Sequence, residues 1–284
     1  MLPSGQAREA LYKAGMTKQL NIAVAGCAGR MGRQLARAAL AAGHKISGGS
    51  ETPRSDVIGA DIGQLVMGEP INALVSDGPG SAAVGAQVWL DFTVPSATLA
   101  ALQVLPELGV RAAIIGTTGF SDAEDKVISA AAENLAIVKA GNFSLGVNLL
   151  EALVKQAAAR LGEDWDIEIA ETHHKHKIDA PSGTALMLGR AAAEGREKPL
   201  SDIQAAPYDG PSAQRQPGQI GFSVRRAGGV IGDHDVTFGS DMELLSLRHV
   251  ALDRAVFAHG AIKAAEWAAG QMPGLYDMSD VLGV

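Results

Sequence analysis

The sequence carries a single cysteine, Cys27, in 284 residues. No intramolecular disulfide can form and no cysteine-rich metal centre can be built, which fits a reducing compartment. Aromatic residues are scarce at 4%, whereas 34 glycines and a hydrophobic fraction of 47% are present. That balance suits small-residue helices packed on a parallel sheet better than a β-sandwich. Positive charge is also short: 24 Lys and Arg stand against 31 Asp and Glu, a formal charge of −7. Such a chain is a poor partner for nucleic acid or an anionic membrane. No apolar run reaches the ~20 residues of a membrane span. Residues 1–20 lack the apolar stretch of a signal peptide and contain Glu9. They read as a short extension, with Met16 an alternative start.

What is present is an alternation of short apolar runs and helix-forming stretches. Asn21–Ala25 (NIAVA) reads as a buried strand, Arg30–Ala42 as a helix and His44–Gly49 as a second strand ending at Glu51. Val88–Phe92 and Arg111–Ile115 are further strands, followed by helices from about Ala97 and Ser121, and Leu135–Lys139 is the next strand. This order predicts βαβ units in a Rossmann-like, doubly wound parallel α/β sheet, with ligands at the strands' carboxyl ends. The pattern changes near Asn142. A helix over Gly146–Leu161 precedes a strand at Asp166–Glu171, a basic loop and a helix from Ser182. Ala206–Gly218 reads as loop. Strand-like runs follow at Ile220–Arg226, His234–Gly239 and Met242–Val250, then a closing helix over Arg254–Gly270. A second, open-faced α+β substrate domain is the natural reading.

Gly26-Cys27-Ala28-Gly29-Arg30-Met31-Gly32 joins the first strand to the first helix. Glycines there let the backbone approach a pyrophosphate, and the helix start offers free N–H groups to it. The spacing is not the usual G-x-G-x-x-G, because Ala28 and Met31 replace its second and third glycines. A plain strand-to-helix turn is the competing reading. Glu51, ending the second strand, is where an acidic side chain can hold ribose hydroxyls; an ordinary loop glutamate is the alternative. Cys27 has no neighbouring base in sequence, which counts against a catalytic thiol. Gly116-Thr117-Thr118-Gly119 and Ala140-Gly141-Asn142-Phe143 both end strands on the same side of the sheet, though turn chemistry alone also explains them.

The segment His173–Lys177 packs three histidines and two lysines into five residues, ahead of Asp179-Ala-Pro-Ser182-Gly183-Thr184. Ser182 is a good N-cap, with Gly183 and Thr184 presenting the first free N–H groups of a helix. An anion can thus be held by cationic side chains and by a helix start. Hydride delivery to an electron-poor double bond leaves an atom that must take a proton, and His or Lys can supply it. Three other readings compete: a solvated basic loop, a phosphate loop without catalysis, and a zinc site from His173, His174 and His176. Adjacent histidines on a strand point to opposite faces, which counts against zinc; no metal is expected.

The run Glu168-Ile-Ala-Glu171-Thr-His173-His-Lys-His-Lys177-Ile-Asp179-Ala-Pro181-Ser-Gly-Thr-Ala185 resembles the signature of the 4-hydroxy-tetrahydrodipicolinate (dihydrodipicolinate) reductase family. So do Gly26–Gly32, Asp91-Phe-Thr-Val-Pro-Ser96, Gly116–Gly119, Asn142–Asn148, Gly232-Asp-His234 and the ending Gly274–Leu282. The resemblance runs from about Gln19 to the C-terminus. It implies reduction of (2S,4S)-4-hydroxy-2,3,4,5-tetrahydrodipicolinate, a small anionic cyclic dicarboxylate, by NADH or NADPH in the diaminopimelate route to L-lysine. It implies His173 as proton donor or acceptor, Lys177 as a second proton donor, and His174, Ser182, Gly183 and Thr184 as substrate ligands. Its cofactor contacts would be Gly26, Cys27, Ala28, Gly29, Arg30, Met31, Glu51, Gly116, Thr117, Thr118, Ala140, Gly141, Asn142 and Phe143. It further implies a cofactor domain of residues 1–143 with 254–284, a substrate-binding and oligomerisation domain of 144–253 and a cytoplasmic homotetramer. Hinges would lie at Asn142–Gly146 and near Arg254, with closure shutting out water.

One position departs. Some members carry an arginine after the ribose-binding glutamate, where it would grip a 2′-phosphate; here Thr52 follows Glu51, with Arg54 two residues on. NADH is therefore expected to serve at least as well as NADPH. Two other classes stay in view: a catalytically silent nicotinamide-binding sensor, which needs no proton donor, and an aldehyde-type dehydrogenase, which needs a well-placed nucleophile.

Overall fold

The computed structural model describes residues 19–210 and 213–284; the expectation for the first residues falls outside them. In chain order the elements are β1 (Asn21–Ala25), α1 (Arg30–Ala41), β2 (Lys45–Ser50), α2 (Ile62–Val66), β3 (Val75–Ser76), α3 (Pro79–Ala82), β4 (Val88–Asp91), α4 (Pro95–Val104), β5 (Ala112–Ile115), α5 (Asp122–Ala131) and β6 (Ala136–Lys139). After these come α6 (Leu145–Arg160), β7 (Asp166–His173), α7 (Gly183–Gly195), α8 (Leu200–Ile203), β8 (Ile220–Arg226), β9 (Gly232–Gly239), β10 (Leu244–Ala251), α9 (Ala255–Ala268), β11 (Gly274–Tyr276) and α10 (Met278–Leu282).

The chain divides into two compact units. One holds the described residues through Ile137 together with Ile262–Leu275; the other holds Val138–Ala261 together with Tyr276–Val284. The sheet that begins in the first has the order β3-β2-β1-β4-β5-β6-β11. The pairs β1–β2, β1–β4, β2–β3 and β4–β5 all run parallel. A parallel sheet is covered on both faces, so its strands are apolar throughout rather than alternating. That is why β4 and β5 are buried at every residue. Helix α1 buries Gly32, Leu35, Ala36, Ala38 and Ala39, the spacing of one helical face. Helix α5 starts in a capping box, with Ser121 N–H donating to Glu124 at 2.7 Å. The chain order reverses between β1 and β4, and ligands of such sheets bind at the strand ends beside that reversal.

The second unit is a four-stranded sheet, β10-β9-β7-β8, in which β7 and β8 are parallel while β7–β9 and β9–β10 are antiparallel. Strand β9 alternates buried and half-buried residues, so only one face is fully covered. A core of Leu150, Val154, Ile167, Ile169, Leu188, Val236 and Phe238, among others, joins that face to α6 and α7. The fold class expected from sequence is therefore found.

Among the boundaries that differ from the sequence expectation, two have a clear local cause. Strand β10 begins at Leu244 rather than Met242, because Ser240 makes a tight turn: its Oγ accepts from the N–H groups of Met242 and Glu243 at 3.3 and 3.2 Å. Strand β7 continues past Glu171 to His173, since Thr172 and His173 pair with Arg225 and Arg226 of β8. The first histidine of the basic segment is thus a strand residue, not a loop residue.

Candidate active site

In the first unit, Gly26 leaves β1 with φ +58°, a left-handed conformation that favours glycine. A Cβ at Gly32 would lie 2.1 Å from the Gly26 carbonyl oxygen, so glycine there lets α1 press against its own loop. The first turn of α1 has no side-chain cap at Gly29 and no acidic residue. Its leading N–H groups have no intrahelical acceptor, and no acidic side chain of that turn competes for them. This helix start fits a pyrophosphate. Glu51 Oε1 accepts the Ala28 N–H at 2.9 Å, which pins the acidic side chain beside the same loop. Cys27 is fully buried against Gly49. Burial, aided by the Glu51 carboxylate, pushes its thiol up to about 12. It remains a protonated packing group with only its backbone at the loop.

The turn after β5 is held from within. Asp91, completely buried at the end of β4, accepts from the Thr93 N–H at 3.1 Å and from the Thr117 hydroxyl at 3.2 Å. Thr93 N–H also reaches Thr117 Oγ1 at 2.9 Å. The Thr117 side chain is therefore committed to the interior, while Thr118 is exposed. Thr52 and Arg54 are both exposed in a turn closed by Ser55 N–H on the Thr52 carbonyl.

In the second unit, β7 places Glu171 and His173 on one face, as residues two apart on a strand must be. Glu171 is 1% exposed, and its Oε2 lies 2.6 Å from His173 Nδ1. Burial is the largest single influence on the Glu171 carboxyl and pushes it up. The hydrogen bonds from Arg226 and His173 outweigh it together, so the group sits below its ordinary value and is ionised. An ionised carboxylate can only accept, so His173 donates through Nδ1 and Nε2 is the nitrogen left for chemistry. Gly232 on β9 keeps space there, since a Cβ at that position would come within 3.2 Å of His173 Nε2.

Ser182 caps α7, accepting the Ala185 N–H at 3.1 Å, and its own N–H donates to Glu171 Oε1 at 3.0 Å. Gly183 and Thr184 follow as the exposed and half-exposed first residues of the helix. The Thr184 hydroxyl accepts from Asn142 Nδ2 at 3.1 Å, so a residue assigned to the cofactor touches one assigned to the substrate. Phe143 is buried, with its carbonyl where a Cβ on Gly260 would stand. Lys177 Nζ lies 2.8 Å from Asp179 Oδ1, and that bond holds the Asp179 carboxyl below its usual range. His174 Nε2 accepts from Arg254 at 3.3 Å. Desolvation, then the Arg254 charge, pushes the His174 ring down, towards its neutral form. His174 and His176 ring centroids are 6.3 Å apart.

Three of these participants carried no site role in the sequence reading: Arg226, Arg254, which marked only a hinge region, and His234, which marked only a stretch of the resemblance. Arg226 grips Glu171 with both guanidinium nitrogens, at 2.8 and 2.9 Å. His234 on β9 shares a hydrogen bond with Ser182 Oγ at 3.0 Å and meets His173 edge-on at 5.0 Å. All three lie more than 50 positions from the residues they support; strand pairing brings in Arg226 and His234, whereas Arg254 stands in the turn between β10 and α9.

The N-terminal family model of dihydrodipicolinate reductase matches residues 20–143, and the C-terminal model matches residues 146–282. A 4-hydroxy-tetrahydrodipicolinate reductase of Ruegeria sp. (strain TM1040) is 48% identical over 270 residues, covering 95% of this chain and 100% of that protein. One from Dinoroseobacter shibae is 50% identical over 267 residues, covering 93% and 98%. Among solved structures, the dipicolinate-bound dihydrodipicolinate reductase from Paenisporosarcina sp. TG-14 superposes with a TM-score of 0.73 at 24% identity, covering 92% of this chain and 98% of that one. An amine dehydrogenase from Mycobacterium smegmatis gives 0.63 at 15% identity, covering 91% and 94%. The structural likenesses speak for the fold. The paired family models and the full-length identities to curated relatives go further: the chain belongs to the dihydrodipicolinate reductase family.

Proposed function

We propose that this protein reduces 4-hydroxy-tetrahydrodipicolinate to tetrahydrodipicolinate with NAD(P)H, the reductase step of the diaminopimelate route to L-lysine. The observation that carries the reading is the Glu171–His173 pair set beside the capped start of α7. It joins a proton donor to an anion site in one hydrogen-bonded group. The reduced nicotinamide supplies the hydride when bound.

Gly26–Met31 would hold the pyrophosphate, Glu51 the ribose, and Gly116–Thr118 with Ala140–Phe143 the nicotinamide end. Thr117, Phe143 and Cys27 would contribute backbone, since their side chains are buried. Gly183 and Thr184 N–H groups would take a substrate carboxylate, with His174, neutral and steadied by Arg254, as a further ligand. His173 would give its proton through Nε2 to the atom left electron-rich by hydride transfer. Lys177, held by Asp179, would be the second donor. A silent nicotinamide sensor would need no such carboxylate-oriented imidazole.

The turn after Glu51, in which Thr52, Pro53 and Arg54 are exposed, supports NADH serving at least as well as NADPH, because no guanidinium directly follows the glutamate. Residues 144–253 would form the substrate-binding and oligomerisation domain of a homotetramer. Exposed Leu244, Leu245 and Val250 on β10 and Val224 on β8 support a subunit contact there. Among the described residues no helix is long and apolar enough to cross a membrane; the expected location is the cytoplasm. The test is a coupled assay in which purified synthase product is supplied and NADH and NADPH consumption are compared. Absence of turnover with both would overturn the activity. A large NADPH preference in kcat/KM would overturn only the cofactor assignment.

A further inference from the structure

Every oxygen of the Glu171 carboxylate is used twice. Oε2 takes His173 Nδ1 at 2.6 Å and Arg226 Nη1 at 2.8 Å. Oε1 takes the Ser182 N–H at 3.0 Å and Arg226 Nη2 at 2.9 Å. One oxygen therefore faces the imidazole and the other faces the residue that caps α7, with a two-pronged guanidinium across both. Arg226 is itself fixed, since Nη2 also donates to the Asp179 carbonyl at 2.6 Å. A carboxylate shared with an arginine still fixes the orientation of the ring but turns less net negative charge towards it.

We propose that Glu171 is a positioning residue that ties the proton donor His173 to the carboxylate-binding start of α7, and that Arg226 sets how tightly His173 keeps its proton. The proposal rests on the reading of His173 as proton donor. It assigns roles to two residues that act through His173 and Ser182. His234 of β9 meets the imidazole edge-on at 5.0 Å; Asp233 and His249 act on His234. His174, His176, Lys177 and Asp179 follow His173 in the loop. Burial keeps His234 neutral above about 4, and it adds no charge near neutral pH. The loop cations and Asp179 remain in both variants below, so differences between those variants isolate Glu171 and Arg226.

The experiment is the pH dependence of kcat/KM for full-length wild type, Glu171→Gln, Arg226→Gln and Arg226→Lys, with dipicolinate binding by calorimetry in the presence of NADH. In Glu171→Gln the amide oxygen still accepts the Ser182 N–H, but the amide nitrogen faces His173 Nδ1 and reverses the ring tautomer. We expect kcat to fall by about 10²–10⁴-fold, dipicolinate affinity to stay within a few-fold, and the alkaline limb of the profile to move down by roughly 1–3 pH units. In Arg226→Gln the uncovered carboxylate holds the imidazolium, and the same limb moves up by about one pH unit. Arg226→Lys keeps the charge and should lie between that variant and wild type. Opposite movements support the proposal. A limb that stays fixed or moves the same way in both variants, or a similar loss of dipicolinate binding in both, overturns it and leaves a merely structural pair. Wild-type turnover by His173→Gln overturns the underlying reading instead, so the two failures are distinguishable.

Discussion

Replacing Gly32 by alanine tests the nucleotide loop through its tightest contact. The new methyl would stand 2.1 Å from the Gly26 carbonyl oxygen and 2.7 Å from Cys27 Cα, where ordinary contact begins near 3.4 Å. Both neighbours are backbone, so no side chain can swing away. The start of α1 must withdraw from the loop by about 1 Å. Overpacking of this kind costs about 1–3 kcal/mol, and the helix preference for alanine returns at most about 1 kcal/mol. The steric term wins. For a chain of this size a net loss of about 1–2 kcal/mol lowers Tm by roughly 2–8 °C. The withdrawn N–H groups also lose about 1–2 kcal/mol of anion binding, which raises the NADH Kd roughly 5- to 30-fold. Gly29→Ala separates the two effects. Its Cβ meets only the Gly26 carbonyl oxygen, at 3.1 Å, and the residue is exposed. That variant should lose little Tm and still bind NADH poorly, because the methyl stands where the phosphate approaches. Thermal melts and fluorescence titration with NADH measure both quantities. A Gly32→Ala protein that melts lower but binds NADH within twofold of wild type would refute this loop as the pyrophosphate site.

His173→Gln should lower kcat by about 10²–10⁴-fold with NADH binding retained, and Lys177→Ala should act similarly; near-normal turnover in either removes that residue from the chemistry. Thr52→Arg should move cofactor choice towards NADPH by about tenfold in kcat/KM, one charge-assisted contact to a 2′-phosphate. An unchanged NADPH/NADH ratio would show that the ribose end lies elsewhere. Burial, reinforced by the His173 charge, lowers His234 from 6.5 to about 4. The unfolded chain then binds the proton first as pH falls, so the His234 contribution is present above about 6.5 and is lost between about 6.5 and about 4, on the order of 3 kcal/mol. Urea midpoints measured across that range should fall less steeply in His234→Gln; identical slopes would contradict a buried neutral ring.

What the sequence made legible was whatever depends on neighbours along the chain. The apolar runs at Asn21–Ala25 and Val88–Asp91 are buried on both sides, and that alone marks them as central parallel strands. Ser182 declared the start of α7 because a cap acts three residues away. The elements α2, β3 and α3 were not foreseen, since pieces of five, two and four residues are too short to show a period. The reach of β7 to His173 was missed for a different reason. Nothing in a run of histidines and lysines favours a strand; pairing with Arg225 and Arg226 imposes it.

That extension has a chemical consequence. Had the strand stopped at Glu171, His173 would be a mobile loop residue and the solvated-loop reading would stand. Continued by two residues, the pleat sends Glu171 and His173 to the same face, and the spacing of two becomes a hydrogen bond of 2.6 Å. The basic segment is therefore not one cluster. Its first histidine is ordered by the sheet and oriented by a buried carboxylate. His174 is turned towards Arg254, and Lys177 is held by Asp179. Charge counting weighs the five residues equally. The backbone separates them into a histidine fixed within a strand and a remainder that takes its partners from loops and turns.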